Sequence, residues 1–367
     1  MKSEWKEEKL LSVCSRLSSG KSITSDKLRK NGVIPVFGGN GIRGYIDEGA
    51  NFDGDCAIIG RQGAYCGNVR FYSGKAYMTE HAIVVQGNES AATRFLAYKL
   101  SLMQLGRLSG QSAQPGLSVK VLSEQVIELP PLPVQRKIAS ILSALDDKIE
   151  TNNAICRNLE EQAAAIFTQF YQNEHTSSYF TKVIQISGGG TPKTDVPSYW
   201  KGKIPFFTPK DAVSTFVFMT EKTLSDEGLN NCNSPLYPEW TTFITARGTV
   251  GKISMAGLAM AMNQSCYALE SKTIHPLLVY LYAKEVVRSL KQKASGAVFD
   301  AIVTRDFDRE EIKLISKERE PVLLEKIEPL YKMISNLKKE NLNMANTRDS
   351  LLPKLMSGRL IITHYDL

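Results

Sequence analysis

No stretch of this 367-residue chain reaches 18 consecutive apolar residues, so no segment reads as a membrane-spanning helix. The opening MKSEWKEEKL has no apolar core, so a secretory signal is not expected. Histidine is scarce, with His81, His175, His275 and His364 scattered along the chain. The cysteines (Cys14, Cys56, Cys66, Cys156, Cys232 and Cys266) form no C-x-x-C pair. A zinc site is therefore not expected, and reduced structural thiols are. There is no G-x-x-x-x-G-K-[ST] loop for an ATP motor and no G-x-S-x-G nucleophile elbow. GGNGIRG, from Gly38 to Gly44, is the nearest approach to a cofactor loop, but it precedes a further strand pattern and lacks a βαβ context. Asp146 and Asp147 read as a solvated helix face, and Asp300 and Asp306 as caps and turns. No metal site and no catalytic constellation rises above background.

What is present is an ordinary globular balance, 43% hydrophobic and 23% charged, in a chain longer than one average domain. The net charge of +7 permits nucleic-acid binding without requiring it. A soluble, cytoplasmic protein is expected.

The chain also repeats itself. CAIIGRQGAYCGNV (Cys56 to Val69) and TFITARGTVGKISM (Thr242 to Met255) each run from apolar residues through an Arg and two glycines. RFLAYKL is followed by YLYAKEV, and LSGQ (Leu108 to Gln111) by ASGA (Ala294 to Ala297), at an offset of about 186. Short β-type runs (CAIIG, HAIVVQG, TTFITARG, QSCYALE) and one internal amphipathic helix per half, about 92–105 and 276–293, indicate an α+β fold built twice.

Each half closes on a long helical pattern. The first seam is Val134, Ile138, Ile141, Leu145, Ile149, Asn152, Cys156, Leu159, Ala163, Ile166 and Phe170, a heptad series with one extra step of four. The second is Leu323, Ile327, Leu330, Ile334, Leu337, Asn341, Met344, Arg348, Leu351 and Leu355. Pro133 suits a first helical turn, Pro329 and Pro353 predict kinks or a late start, and Gly358 a stop. A helix of this size is roughly 55 Å long, more than a single domain needs, so pairing of the two helices is expected. The domains expected are 1–130, the helix 131–175, 176–318, and the helix 319–367.

The binding candidates lie in glycine–basic loops. Arg61, Gln62, Tyr65 and Gly67 follow one strand; Arg247, Gly248, Thr249 and Lys252 follow its counterpart. Flanking glycines let the backbone turn tightly and present an Arg outward, where Arg can pair with guanine and Gln or Asn with adenine. Asn40, Arg43, Gln111, Lys193, Lys210, Asn263 and Gln264 are the other polar candidates; Tyr199 and Trp200 read as packing residues.

LPPLPVQRKIASILSALDDKIETNN (Leu129 to Asn153) resembles the central segment of type I restriction–modification specificity subunits. SGGGTPKTDVPSYWKGKIPFFTPKDA (Ser187 to Ala212) is similar to the entry segment of their target recognition domains. SGAVFDAIV (Ser295 to Val303), LLPKLMSGRL (Leu351 to Leu360) and, more loosely, SGQSAQPGLSVKVL (Ser109 to Leu122) resemble the closing segments. The first half opens without the full GGGTP…YW form.

The resemblance implies two similar strand-rich target recognition domains, each reading half of a split duplex sequence, separated by an antiparallel coiled coil of two long helices. Antiparallel helices place the domains at opposite ends, and duplex DNA rises about 3.4 Å per base pair, so the coil would cap the spacing of half-sites near roughly 16 base pairs. It also implies two modification subunits carrying S-adenosylmethionine, motor-nuclease subunits carrying ATP and Mg, and a non-catalytic chain holding no cofactor. The rival readings are a coiled-coil scaffold that binds no DNA, and a nuclease or methyltransferase with an unrecognised site.

Overall fold

A computed structural model describes residues 5–109, 116–293 and 301–360. The chain divides into two units, Met1–Ile149 with Asn343–Leu367, and Glu150–Leu342.

In the first unit the strands are β1 (Lys6–Lys9), β2 (Cys14–Ser19), β3 (Ile34–Gly38), β4 (Gly41–Ile46), β5 (Asp55–Gly60), β6 (Val69–Ser73), β7 (Tyr77–Met78), β8 (Ala82–Gly87) and β9 (Val126–Leu129). The helices are α1 (Thr93–Leu102), α2 (Val119–Ser123) and the start of α3 (Leu132–Gln172). Three sheets form, ordered β2-β8-β5-β6, β4-β3-β7 and β1-β9. The run DCAIIG makes β5 a strand buried on both faces. Ala57 and Ile59 pack with Phe95, Leu96 and Leu100 of α1. Cys56 and Ile58 pack with Phe37, Phe52 and Met78.

The second unit holds β10 (Ser177–Tyr179), β11 (Gln185–Gly188), β12 (Trp200–Phe207), β13 (Phe216–Val217), β14 (Lys222–Leu224), β15 (Thr242–Thr245), β16 (Ile253–Ala256), β17 (Ala261–Met262), β18 (Cys266–Glu270) and β19 (Glu311–Lys313). Its helices are α4 (Phe180–Val183), α5 (Asp226–Asn230), α6 (Pro276–Lys293), α7 (Thr304–Asp308) and α8 (Glu320–Met356), with the second part of α3. The sheets are β11-β18-β15-β16-β13, β14-β12-β17 and β10-β19. The topology repeats that of the first unit strand for strand. Even the pairing sense agrees, since β3 and β12 each hold one antiparallel and one parallel neighbour. The departure lies after β12. Where the first unit turns tightly from β3 to β4, the second inserts a longer segment, 208–221. That segment carries β13, which pairs with β16 and adds a fifth strand. The duplication is thus one of fold. Of its expected sequence marks, Gly110, Gln111 and 294–297 lie outside the described residues.

The long helices both cover their own sheets and pair with each other. In the first unit Ile138, Ala139 and Leu142 of α3 share a core with Leu355 and Met356 of α8. In the second, Cys156, Ala163 and Phe167 share one with Leu323, Ile327, Tyr331 and Ile334. Arg348 meets Asp146 at 2.6 Å, Asn152 meets Asn341 at 2.9 Å and Lys338 meets Asn153 at 2.9 Å. Within each unit, then, residues later in α3 meet residues earlier in α8, and the pairing is antiparallel.

Among the expected seam residues Ile138, Ile327 and Ile334 are buried. Leu145, Ile149, Leu159, Ile166, Leu330, Leu337, Met344 and Leu351 are half-buried. Ile141 is a correction: it is exposed, and its neighbour Leu142 is fully buried. With Leu142 in the series the steps from Ile138 to Phe170 alternate four and three, and the extra step of four moves to the start of the seam, between Val134 and Ile138. Two adjacent apolar residues cannot be told apart by period alone. Tyr331, buried in α8, was not among the expected residues.

The late start that Pro329 allowed is corrected, since α8 begins nine residues before Pro329 and runs on through Pro353. Gly358 does close it, with φ +66. Asp146 and Asp147 are not a merely solvated face. Asp146 accepts from the Tyr98 hydroxyl as well as from Arg348, and Asp147 from Arg94 at 2.5 Å. Gln135, in the P-L-x-x-Q stretch, is buried. Its Oε1 accepts from the Ala92 N–H at 2.9 Å and its Nε2 donates to the Ser90 and Pro130 carbonyls, tying the start of α3 to the start of α1.

Candidate nucleic-acid interface

In each unit five chain segments meet at one edge of the sheets, and the same four backbone bonds hold them. In the first unit the Lys21 N–H donates to Met78 O at 3.0 Å, Thr79 N–H to Phe37 O at 3.0 Å, Arg61 N–H to His81 O at 3.0 Å, and Leu117 N–H to Arg61 O at 2.8 Å. In the second, Gly190 N–H donates to Met262 O at 3.1 Å, Asn263 N–H to Phe207 O at 2.9 Å, Ala246 N–H to Ser265 O at 2.8 Å, and Ile302 N–H to Ala246 O at 2.9 Å.

The frame therefore equates Arg61 with Ala246 and Gln62 with Arg247. Gln62 and Arg247 also make matching bridges, to Gly116 and Ala301. The glycines coincide: Gly63 and Gly248 have φ of 77° and 82°, Gly67 and Gly251 of 83° and 72°. A side chain at these values would be strained, which is why both copies keep glycine. The two arginines read from the sequence as partners are thus one position out of step, because the shared feature is the glycine turn.

Their surroundings differ accordingly. The Arg61 guanidinium is half-buried and donates to the Glu80 carbonyl at 3.3 Å. Gln62, Tyr65, Asn40 and Arg43 are exposed nearby, with Gly39 packed against the Gln62 and His81 carbonyl oxygens. Arg247, Gln264 and Thr249 are exposed in the second unit. Thr249 Oγ1 donates to Pro209 O at 3.3 Å, which brings the Lys210 segment against the Arg247 loop, and Thr191 Oγ1 bonds Gln264. Lys210 pairs with Glu221 at 3.3 Å, while Asp211 is a buried turn acceptor for Thr208 and the Glu221 N–H.

Two candidates stand apart from this convergence. Lys193 lies beside Trp200, whose indole donates to its carbonyl at 3.2 Å. Lys252 sits at the base of the β15–β16 loop and faces α3. Gln111 lies outside the described residues.

Residues that sequence reasoning passed over complete the edge. Thr79-Glu80-His81 is the counterpart of Asn263-Gln264-Ser265. In both, the first side chain accepts from the third residue's N–H, Thr79 Oγ1 at 3.4 Å and Asn263 Oδ1 at 3.0 Å. Different letters perform one backbone task, so no motif exposes the match. Arg70, beside Gly41, adds a further exposed cation.

Gly20 and Gly189 explain the entry glycines. A Cβ at Gly20 would collide with the Met78 carbonyl and one at Gly189 with the Asn263 carbonyl, so the first unit keeps this glycine without the longer GGGTP form.

Chemically the edge offers guanidinium, ammonium, amide and hydroxyl groups on rigid turns, a set suited to base edges and phosphates. Nothing in it resembles an activated nucleophile. Burial raises the Cys14, Cys56 and Cys266 thiols to about 12, and raises Cys66, Cys156 and Cys232 as well. All six cysteines are free. Among the described residues no group of His, Cys, Asp and Glu could hold a metal, and no helix is long and apolar enough to cross a membrane.

The specificity subunit of the type I restriction enzyme EcoprrI from Escherichia coli is 38% identical over 142 residues, 38% of this chain and 35% of that one. That of MjaIX from Methanocaldococcus jannaschii is 26% identical over 163 residues, 43% and 38% of the two chains. The chain thus spans little more than a third of the length of these two relatives. A Mycoplasma pneumoniae chain named as a type I specificity subunit is 22% identical over 341 residues, covering 89% of this chain and 90% of that one. The crystal structure of a type I restriction–modification S subunit from M. genitalium superposes with a TM-score of 0.64 over 96% of each chain, at 16% identity, and shows the same fold. The family model of the type I restriction modification DNA specificity domain matches residues 2–161 and again 179–345, one match to each half of the duplication, and the chain belongs to that family.

Proposed function

We propose that this chain is the sequence-reading subunit of a cytoplasmic type I restriction–modification complex. Each unit reads one half of a split double-stranded target, and α3 and α8 set the gap between the halves and dock two modification subunits. Those subunits carry S-adenosylmethionine, and motor-nuclease subunits carry ATP and Mg. This chain contributes recognition and no bond-breaking step.

One observation carries the reading: the same five-segment frame is built twice, and at its matching positions the polar side chains differ, Gln62 against Arg247 and Glu80 against Gln264. A shared scaffold with different polar groups at its edge is what two readers of different sequences require.

Methylation mapping of a host carrying this chain with its partner subunits tests it. A two-part motif with a fixed gap is expected, and Arg247→Ala should alter one half only. Adding seven residues to both long helices should change the gap and leave both half-sequences intact. Methylation of one continuous motif, or changed half-sequences with an unchanged gap, would overturn the proposal.

A further inference from the structure

The β15–β16 loop presents Arg247 and Thr249 at its tip, while Lys252 at its base lines a cavity of about 720 Å³. The other walls are Asn153, Arg157 and Glu160 of α3, Lys338 of α8, and residues 212–215 of the inserted segment. Three cations thus face one acid. The Glu160 carboxylate accepts from the Thr215 hydroxyl at 2.5 Å, and Lys338 donates to Asn153 Oδ1 at 2.9 Å. Among the described residues no salt bridge engages Arg157, Lys252 or Lys338. Three cations against one carboxylate leave an excess of positive charge, and a bound anion offsets it. A guanidinium fork with two ammonium groups and an amide suits a phosphate oxyanion.

The position selects which phosphate. The Thr245 N–H donates to Lys252 O at 2.9 Å, so Lys252 lies opposite Thr245, two residues short of Arg247. That is roughly 7 Å of extended chain. The inserted segment joins the two places as well, carrying Lys210 at the reading edge and 212–215 in the cavity wall. A duplex whose base edges meet Arg247 and Lys210 therefore carries its backbone past the cavity mouth.

We propose that this cavity receives a backbone phosphate of the duplex bound by the second unit, with Arg157 and Lys252 as its main ligands and Lys338 in support. The proposal rests on the reading of the chain as a duplex binder. It gives α3 a direct hold on the nucleic acid.

The experiment measures duplex affinity against salt for the complete chain with its modification subunits, using a target duplex and a scrambled one. Each phosphate contact contributes about 0.9 to the slope of log affinity against log salt. Arg157→Gln with Lys252→Gln should make the slope shallower by about 1 on both duplexes, with the target-to-scrambled ratio unchanged. Arg157→Lys, which keeps the charge, should keep the slope. Both residues are exposed, so the variants should melt as the wild type does, and each single variant should show part of the effect.

A wild-type slope in the double variant overturns the proposal. So does a changed ratio, which would make these residues base readers. In a separate arm inorganic phosphate replaces chloride at constant ionic strength. Phosphate that raises the melting temperature of the wild type alone, with equal duplex slopes in wild type and variant, would show a free-anion site and overturn the duplex assignment. A wild-type assembly without sequence preference removes the underlying reading too, whereas selective binding with an unaltered slope removes this inference alone.

Discussion

Gln62 and Arg247 occupy one structural position, bridged to Gly116 and to Ala301 respectively, and each is followed by a glycine of positive φ. Gln62→Ala and Arg247→Ala should therefore each weaken binding to one half of the target, by about 1–3 kcal/mol if a bidentate base contact is lost. Arg61→Ala should act less selectively, because its guanidinium braces the Glu80 carbonyl. Affinities for duplexes altered in one half at a time measure this. Equal losses on both halves for Arg247→Ala would count against the assignment.

Glu80 and Gln264 form a second matched pair at the shared edge of the two units' frames. One Glu80 carboxylate oxygen is buried with no hydrogen-bond partner among the described residues. An ionised carboxylate only accepts, whereas an amide both donates and accepts. Glu80→Gln should change the preferred base at one position of one half-target and leave the other half alone, as read by methylation mapping. An unchanged motif would remove Glu80 from the reading surface.

Asn152 donates to Asn341 at 2.9 Å and to Glu340 at 2.9 Å within the helix seam. Either single change to Leu should cost about 1–3 kcal/mol, because it removes the Asn152–Asn341 hydrogen bond and sets an apolar side chain against a buried amide. The double change to Leu should recover most of that loss. Urea unfolding of the four proteins completes the cycle, and simple additivity would show that the amides are not coupled.

Gly188 and Gly189 are adjacent and should respond oppositely. A Cβ at Gly188 meets nothing within 4 Å, whereas one at Gly189 meets the Asn263 and Met262 carbonyls. Gly189→Ala should destabilise by about 1–3 kcal/mol or more, and Gly188→Ala by far less. Gly20→Ala should behave like Gly189→Ala. Thermal melting decides, and equal effects at 188 and 189 would contradict the packing.

Burial raises the Tyr331 hydroxyl far above the ordinary tyrosine range, and no group among the described residues bonds it. The folded state then holds this proton more tightly than the unfolded chain. Its contribution is complete below pH about 10, the unfolded value, and is lost as pH rises beyond it. Tyr331→Phe should leave stability at neutral pH unchanged or slightly higher and should flatten its fall between pH 10 and 11. Urea unfolding across that range is the measurement, and an equally steep fall would exclude Tyr331 as a source.

The duplication was legible because its glycine turns, Gly63 with Gly67 and Gly248 with Gly251, are demanded by backbone geometry that no other residue meets cheaply. The helix seams were legible through their period, except where Ile141 and Leu142 offered two apolar choices at one step. The edge that carries Gln62 and Arg247 was harder. An Arg precedes the glycine by two positions in one copy and by one in the other, so matching letters misaligned the frame. Thr79 and Asn263 do the same work with a hydroxyl and an amide. The tertiary role of Gln135 has no local signature, since Ala92 and Ser90 lie more than forty residues away.

The loops that carry Gln62 and Arg247 are anchored by peptide groups: Arg61 and Ala246 are fastened through their own N–H and C=O. Such fastening asks for no particular side chain. Mutation at 62 or 247 can therefore rewrite the message presented to a partner while folding free energy scarcely registers the edit. A lineage built on this arrangement can acquire a new vocabulary one residue at a time, without passing through misfolded ancestors.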